Sequence, residues 1–275
     1  MSFFVDIVTE DSFYENLTLG VVKLLEASPC VKNVKVERQS ACERSAISSW
    51  EQRHCCLLPD DLKRFYASTD GFSLNWSLDI AGEEFPVGRM TINEFAGLKR
   101  FIGSKEQQQQ TEIESKSQDD SEIIPSLGGR CKLFEIDQCG GIAKIFLVYH
   151  IRPDWDAEPG IWLYNDDNAG GNWYHLSDTF IKYFRMMLVH LGLPLWQYCV
   201  AGLDLPTWVE QTYYLVGPHL LPTGGEREER EEREEREKQT TETISATIFK
   251  DAPYNTIDPS IFKTRDNKQR NSRKK

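Results

Sequence analysis

Residues 48–78 carry the clearest alternation of apolar and polar positions in the chain. Pro59 suits the first position of a helix, where its missing N–H group is no loss. Asp60 and Asp61 then lie in the first turn, where carboxylates complement the positive end of the helix dipole. Three apolar residues follow at helical spacing: Leu62, Phe65 and Tyr66. The pattern predicts a short helix with one apolar face.

The same stretch then changes to a period of two. Asp70-Gly71 is predicted to end the helix, because Gly71 can adopt the left-handed conformation without steric cost. The apolar positions that follow alternate with polar ones: Phe72, Leu74, Trp76 and Leu78. This alternation predicts a strand with one buried face. Neither the helix nor the strand carries a recognisable catalytic motif.

Apolar spacing predicts further elements on both sides of this stretch. Before it we expect a helix over 11–27, a strand over 31–37 and a helix over 46–53. Pro29 stops the first helix, and the third element brings Ile47 and Trp50 to the core. Residues 84–92 are expected to form one or two short strands, with Pro86 at an edge or strand start.

Beyond residue 130 the pattern predicts four strands and a longer helix. The strands are expected over 132–136, 142–149, 161–164 and 173–176. Residues 137–141 are predicted to form a hairpin loop, and the nearly continuous apolar run 142–149 indicates a central strand. Ser177 is a good N-cap for a helix over 178–191. Its predicted outward residues are Lys182, Arg185 and His190.

Two helical pieces led by proline are predicted within residues 193–216, starting near Pro194 and Pro206. They carry five aromatic residues: Trp196, Tyr198, Trp208, Tyr213 and Tyr214. Aromatic residues dominate both cores and interfaces. The hypothesis is that these five supply a protein-contact surface, and the alternative is that all five cover the sheet.

Two segments have the composition of disorder. Residues 103–129 combine a glutamine run with strong polarity, so they cannot offset ordering entropy by burial. We expect them to be an insert within one domain over residues 1–222. Residues 223–275 are expected to be a disordered tail, beginning with a Glu-Glu-Arg repeat. The tail ends in a basic block, which includes Lys263, Arg265, Lys268 and Arg270.

Charge and cysteine content exclude several function classes. The net charge of −11 argues against a whole-domain footprint for nucleic acid or an anionic membrane. Apolar runs are shorter than the roughly 18 residues that would span a bilayer. Seven cysteines without regular spacing, in a chain of 275 residues, indicate reduced thiols in the cytosol.

Candidate chemistry is weak throughout. His54-Cys55-Cys56 with Cys42 could suggest a metal site, but a second ligand pair is missing and incidental thiols are favoured. The pairs at 140–141 and 170–171 are glycines of hairpin turns, since they fit neither nucleotide-binding pattern. Residues 166–168 resemble half a calcium loop without its twelfth-position Glu. The sequence therefore predicts no cofactor, no metal and no catalytic residue.

Longer strings carry a resemblance to known families. A Leu-Pro-Asp helix start, an aromatic helix face and Asp-Gly-Phe before a strand resemble the SMI1/KNR4 domain, a binding module. The resemblance implies an α+β fold, a single domain with one mainly antiparallel, curved sheet and flanking helices. Further strings resemble the non-catalytic second subunits of the tubulin polyglutamylase complex: ISSWEQ, LPDDLKRFY, DGFSLNWS, LTLGVVKLLEASP, YNTIDPSIFK and SDTFIKYFRMMLVHLGLPLWQY.

This second resemblance implies a function and partners. It implies a scaffold or targeting subunit that supports a tubulin tyrosine ligase-like enzyme, with other subunits and tubulin as partners. It also implies a cytoplasmic location at microtubules and the centrosome. The basic block at 263–275 is expected to strengthen contact with an acidic partner, foremost microtubules; a nuclear-import or nucleic-acid patch and a solubilising tail are the alternatives. The alternatives are a generic SMI1/KNR4-type module with an unrelated partner, and an enzyme in its own right.

Overall fold

In a computed structural model, the chain forms an α+β fold of antiparallel strands and short helices. The structure describes residues 10–103, 125, 131–150, 158–165 and 171–221. The predicted insert and the charged tail lie almost wholly outside these residues. The family resemblance therefore gave the correct fold class, and the predictions on the insert and the tail remain predictions.

The N-terminal half builds a three-stranded sheet. Its helices are α1 (Glu10–Leu17), α2 (Val21–Ala27), α3 (Arg44–His54) and α4 (Asp60–Tyr66), and its strands are β1 (Val31–Glu37), β2 (Phe72–Ile80) and β3 (Glu83–Ile92). The sheet has the order β1-β2-β3, so Pro86 lies in an edge strand as predicted. Trp76 pairs directly with Gly88 in this sheet, and the register shifts just beyond, between Trp76 and Ser77.

A second sheet follows, with the order β4-β5-β6-β7-β8. Its strands are β4 (Arg100–Phe101), β5 (Cys131–Cys139), β6 (Ala143–His150), β7 (Gly160–Asn165) and β8 (Asn172–Ser177). Strand β6 lies at its centre, as the continuous apolar run predicted. Successive side chains of β6 point to opposite faces of the sheet, and both faces are buried. Ile145 and Leu147 belong to the main core, while Phe146 and Val148 belong to a smaller cluster on the other face.

The prediction of one sheet is wrong for the described strands, which form two. The two sheets meet directly after β3. There the Asn93 N–H donates to the carbonyl oxygen of Ile136 in β5 at 2.9 Å. A second bond runs from the Asn93 side-chain amide to the Glu135 carbonyl oxygen at 3.3 Å. One backbone and one side-chain hydrogen bond of Asn93 therefore join the sheets here, without a β-ladder between β3 and β5.

Three C-terminal helices cover the sheets: α5 (Phe180–Val189), α6 (Trp196–Ala201) and α7 (Thr207–Val216). Their inward residues include Phe180, Tyr183, Phe184, Met187 and Leu188, as predicted. Short 3₁₀ turns stand at Phe95–Gly97 and Pro218–Leu220. Each described helix is too short to span a bilayer.

Several predicted boundaries are wrong for local reasons. The helix expected over 11–27 is two helices, because Leu19 and Gly20 adopt positive φ angles of 52° and 80°. Residue 59 caps α4 rather than starting it. Helix α4 also ends at Tyr66, before the predicted stop at Gly71, although Gly71 does adopt a positive φ of 92°.

The start of α5 also differs from the prediction. Thr179, not Ser177, is the N-cap, and its side chain accepts a hydrogen bond from the Lys182 N–H. The Ser177 hydroxyl instead bonds to the backbone of Thr179. At the other end, His190 turns inward against the Trp196 ring, although the sequence predicted an outward side chain.

Candidate protein-contact surface

The five aromatic residues predicted to form a contact surface divide into two groups. Trp196, Tyr198 and Tyr213 are buried in the main core. Their inclusion in a surface was therefore wrong, because each packs against the sheets and helices of its own domain. Trp208 and Tyr214 are 57% and 67% exposed, and they remain candidates for partner contact.

Helix α7 acquires an outer apolar face from its own spacing. Val209 and Tyr213, four residues apart, point into the core and fix the helix on the domain. Trp208 and Leu215 are seven residues apart, so they share the opposite stripe two turns along the helix. Leu215 is 69% exposed. We call Trp208, Tyr214 and Leu215 the α7 face; sequence reasoning included two of its members and missed Leu215.

A cluster of polar groups lies in the interior, where the sequence predicted none. Asp137 was assigned to a hairpin loop but is a buried residue of β5. Its Oδ1 accepts from the Thr91 hydroxyl at 2.7 Å, and its Oδ2 accepts from the Tyr183 hydroxyl at 2.7 Å. The Gln197 amide reaches Asp137 Oδ2 at 3.5 Å, and the Cys139 thiol donates to Gln197 Oε1 at 3.3 Å.

A β-bulge brings Asp137 into this polar cluster. The register of β5 against β6 shifts between Glu135 and Asp137, which leaves an extra residue in β5. Alternation therefore changes phase, and Ile136 and Asp137 both face the interior. Burial raises the pKa of the Asp137 carboxyl to about 6, although hydrogen bonds from Thr91, Tyr183 and the Gln138 N–H oppose the shift.

The cysteine-histidine stretch does not assemble a metal centre in the described part of the chain. No group of three His, Cys, Asp or Glu side chains lies close enough there to hold a metal ion. Burial, with the Asp70 and Glu43 carboxylates, raises the pKa of the Cys42 thiol to about 11. Burial also raises the pKa of Cys56, so neither thiol is primed as a thiolate.

The residues predicted to contact an acidic partner also include the basic block at 263–275. Lys263, Arg265, Lys268 and Arg270 all lie outside the described residues. The prediction of an electrostatic contact through residues 263–275 therefore stays a prediction.

Comparison with known proteins decides the family. The model of the SMI1/KNR4 family (SUKH-1) matches residues 41–186, which is more than half of the chain. The chain belongs to the SMI1/KNR4 family. The resemblance drawn from the helix start and Asp-Gly-Phe is confirmed. The matched range of this SMI1/KNR4 domain includes the polar cluster as far as Tyr183, and it ends before the α7 face.

Curated relatives of this SMI1/KNR4 protein extend the comparison beyond that range. It is 35% identical over 214 residues to tubulin polyglutamylase complex subunit 2 of Rattus norvegicus, covering 74% of this chain and 71% of the relative. The proteins of the same name from Mus musculus and Homo sapiens are 34% and 33% identical, with 71% and 70% of their lengths covered. No solved structure matches the chain.

Proposed function

We propose that this chain is a non-catalytic scaffold or targeting subunit of a tubulin polyglutamylase complex. In this role it supports a tubulin tyrosine ligase-like enzyme that adds glutamate side chains to tubulin tails. The observation that carries the proposal is the 35% identity to a subunit of that name, over 74% of this chain. The partners are the other subunits and tubulin, and the location is cytoplasmic, at microtubules and the centrosome.

The chemistry of the described residues supports a role in binding. Polyglutamylation needs a nucleotide and carboxylate-held Mg²⁺, and the described carboxylates do not cluster for a metal. The most strongly perturbed carboxylate, Asp137, is buried and bonded to neighbouring side chains, out of reach of a substrate. The α7 face, in contrast, offers Trp and Tyr side chains of the kind that dominate interface energetics.

The test is recovery of the complex on the tagged full-length chain from cells that contain it. The double variant Trp208→Ala, Leu215→Ala should lower the recovery of the other subunits at least about fivefold. Leu24→Ala is the matched control, because Leu24 is an equally exposed apolar residue on α2. Thermal unfolding of both variants should stay close to wild type.

Two outcomes would contradict the proposal. Recovery of a different set of partners would assign the chain to an unrelated assembly. Glutamate addition to microtubules by the purified chain alone, with Mg-ATP and glutamate, would make it an enzyme. Equal recovery by the double variant and the control would keep the function but remove the α7 face from the interface.

A further inference from the structure

Three basic side chains converge beside the C-terminal end of α3. Arg53 lies in the last turn of that helix. The Lys132 ammonium donates to the carbonyl oxygens of His54 and Cys55, at 2.7 and 2.9 Å. Arg100 pairs in the β-ladder with Phe134, whose ring lies 5.0 Å from the His54 ring. We call Arg53, Arg100 and Lys132 the basic patch.

The described part of the chain does not neutralise the charge of the basic patch. Within the described residues, no carboxylate lies within ion-pair distance of any of its three members. Glu51, the one acidic residue of α3, is paired with Lys63 at 2.9 Å. Burial is the largest cause of the lowered pKa of His54, and the nearby positive charges of the basic patch lower this pKa further. The local potential is therefore positive, on a chain whose net charge is −11.

Exposed apolar side chains flank the basic patch. Leu57 is 74% exposed, and its carbonyl oxygen accepts from the Tyr149 hydroxyl at 2.7 Å. Tyr149 stands directly opposite Lys132 in the β-ladder, so Leu57 lies beside the patch. Ile102, 68% exposed, follows the last residue of β4. The surface therefore combines charge that attracts a polyanion with apolar contact for its side chains.

A cleft continues this surface along β4. Its volume is about 490 Å³, and Arg100 lines it together with Lys99 and Phe101. Two carboxylates, Glu94 and Glu135, also line the cleft. Glu135 is compensated by Lys144 at 3.6 Å. Arg100 thus lies between this cleft, whose lining carries two carboxylates and two cations, and the charges of Arg53 and Lys132, which no described carboxylate pairs.

We propose that the basic patch, with Leu57 and Ile102, binds a glutamate-rich peptide segment of another protein. Charge complementarity selects the class of partner, and the open cleft allows an extended chain to lie across Arg100. The source is another protein because the chain's own Glu-Glu-Arg repeat, residues 226–238, carries five cations among its eight glutamates. Those cations would meet the patch with like charge. The proposal deepens the proposed function by naming a partner's chemistry, but its evidence is local and independent of the relatives.

The experiment measures fluorescence anisotropy of a labelled peptide of about ten glutamates against the full-length chain. Charge reversal by Arg53→Glu with Arg100→Glu should weaken binding at least about tenfold. The matched control is Lys32→Glu with Lys35→Glu, because both lysines are exposed on β1 and the change in net charge is the same. Lys132 is left intact because it bonds to the end of α3. Thermal unfolding checks that both variants are folded.

Each outcome supports or overturns the proposal. The proposal is supported if the Arg53 and Arg100 variant loses affinity for the glutamate peptide while the lysine control keeps it. The wild-type affinity should also weaken as ionic strength rises past ~0.15 M. Equal weakening by the control, or equal binding of a glutamine peptide of the same length, overturns it. A variant with the eight repeat glutamates changed to glutamine should bind as wild type does; much tighter binding would identify the repeat as the occupant. Complex recovery is measured separately, so failure here leaves the proposed function standing.

Discussion

The polar cluster and the α7 face are opposites in composition and position. The cluster sets a carboxyl, two hydroxyls, an amide and a thiol in the interior, between β3, β5, α5 and α6. The α7 face leaves a tryptophan, a tyrosine and a leucine in solvent. Each region reverses the usual distribution of polar and apolar side chains.

The difference lies in where each region finds its partners. The groups of the polar cluster satisfy one another, and a satisfied network costs little while it fixes how the surrounding elements join. Helix α7 has its inner residues packed, whereas the described residues leave the α7 face exposed, so burial against a further surface would remove its apolar area from water. The first region therefore serves the fold, and the second is available for assembly.

The largest expected loss of stability is at the polar cluster, in the interior. Trp196 packs on the Tyr183 ring at 5.1 Å, so it forms a wall of the polar cluster. Trp196→Ala should lower the free energy of unfolding by about 3–5 kcal/mol, since it removes a buried ring and leaves a cavity. Denaturant unfolding measures this loss. A change below about 1 kcal/mol would place Trp196 at the surface with Trp208.

A pH dependence should also separate the two regions. The pKa of Asp137 is about 6 when folded, above its ordinary value of 3.8. The folded state therefore binds more protons between these values, and Asp137 makes the protein less stable as pH rises from about 4 to 6. Relative to Asp137→Asn, the wild type should lose on the order of 3 kcal/mol across this window. Unfolding of both proteins at each pH measures the difference.

The comparison with Asp137→Asn is needed because His190 contributes to the pH dependence of stability with the opposite sign. Burial lowers the pKa of His190 to about 4, so its contribution to stability is lost as pH falls below about 6.5. The two groups partly cancel in the wild type alone, whereas the difference between the two proteins isolates Asp137. Parallel pH profiles for the two proteins would contradict the assignment. Trp208→Ala should follow the wild-type profile throughout.

The smallest expected effect is at the α7 face. Trp208→Ala should change the free energy of unfolding by less than about 0.5 kcal/mol, because its ring is already mostly in water. Trp196→Ala serves as the buried counterpart in the same urea titration. A loss of more than about 2 kcal/mol would show that Trp208 supports the core and would erase the distinction between the regions.

The spacing of apolar residues predicted those elements whose buried side depends on that spacing alone. Leu62, Phe65 and Tyr66 identified α4, and the alternation from Phe72 identified β2, because spacing fixes which side of an element is buried. Asp137 was misplaced because apolar spacing does not reveal the bulge: only the pairing of β5 with β6, whose register shifts between Glu135 and Asp137, shows that Asp137 turns inward. His190 was misplaced for a similar reason, since Trp196 covers it only after the turn at Gly192.

The candidate surfaces show the same limit. Proline-led helices with five aromatics were predicted, but the division into buried and exposed rings depends on how α6 and α7 rest on the sheets. The basic patch carried no sequence signal, because Arg53, Arg100 and Lys132 are distant in sequence and meet only through β4, β5 and the end of α3.

The contact between Trp76 and the end of α5 has a consequence for the order of folding. The indole N–H donates to the Leu191 carbonyl oxygen at 2.8 Å, and the indole occupies the space where any side chain at position 88 would have its Cβ. Arg89 adds a bond from its N–H to the Gly192 carbonyl oxygen. The first sheet thus closes on residues more than a hundred positions later. Contacts of such separation form slowly, because the loop must close before they stabilise anything. During synthesis these contacts of the first sheet cannot form until Leu191 and Gly192, which follow α5, have left the ribosome.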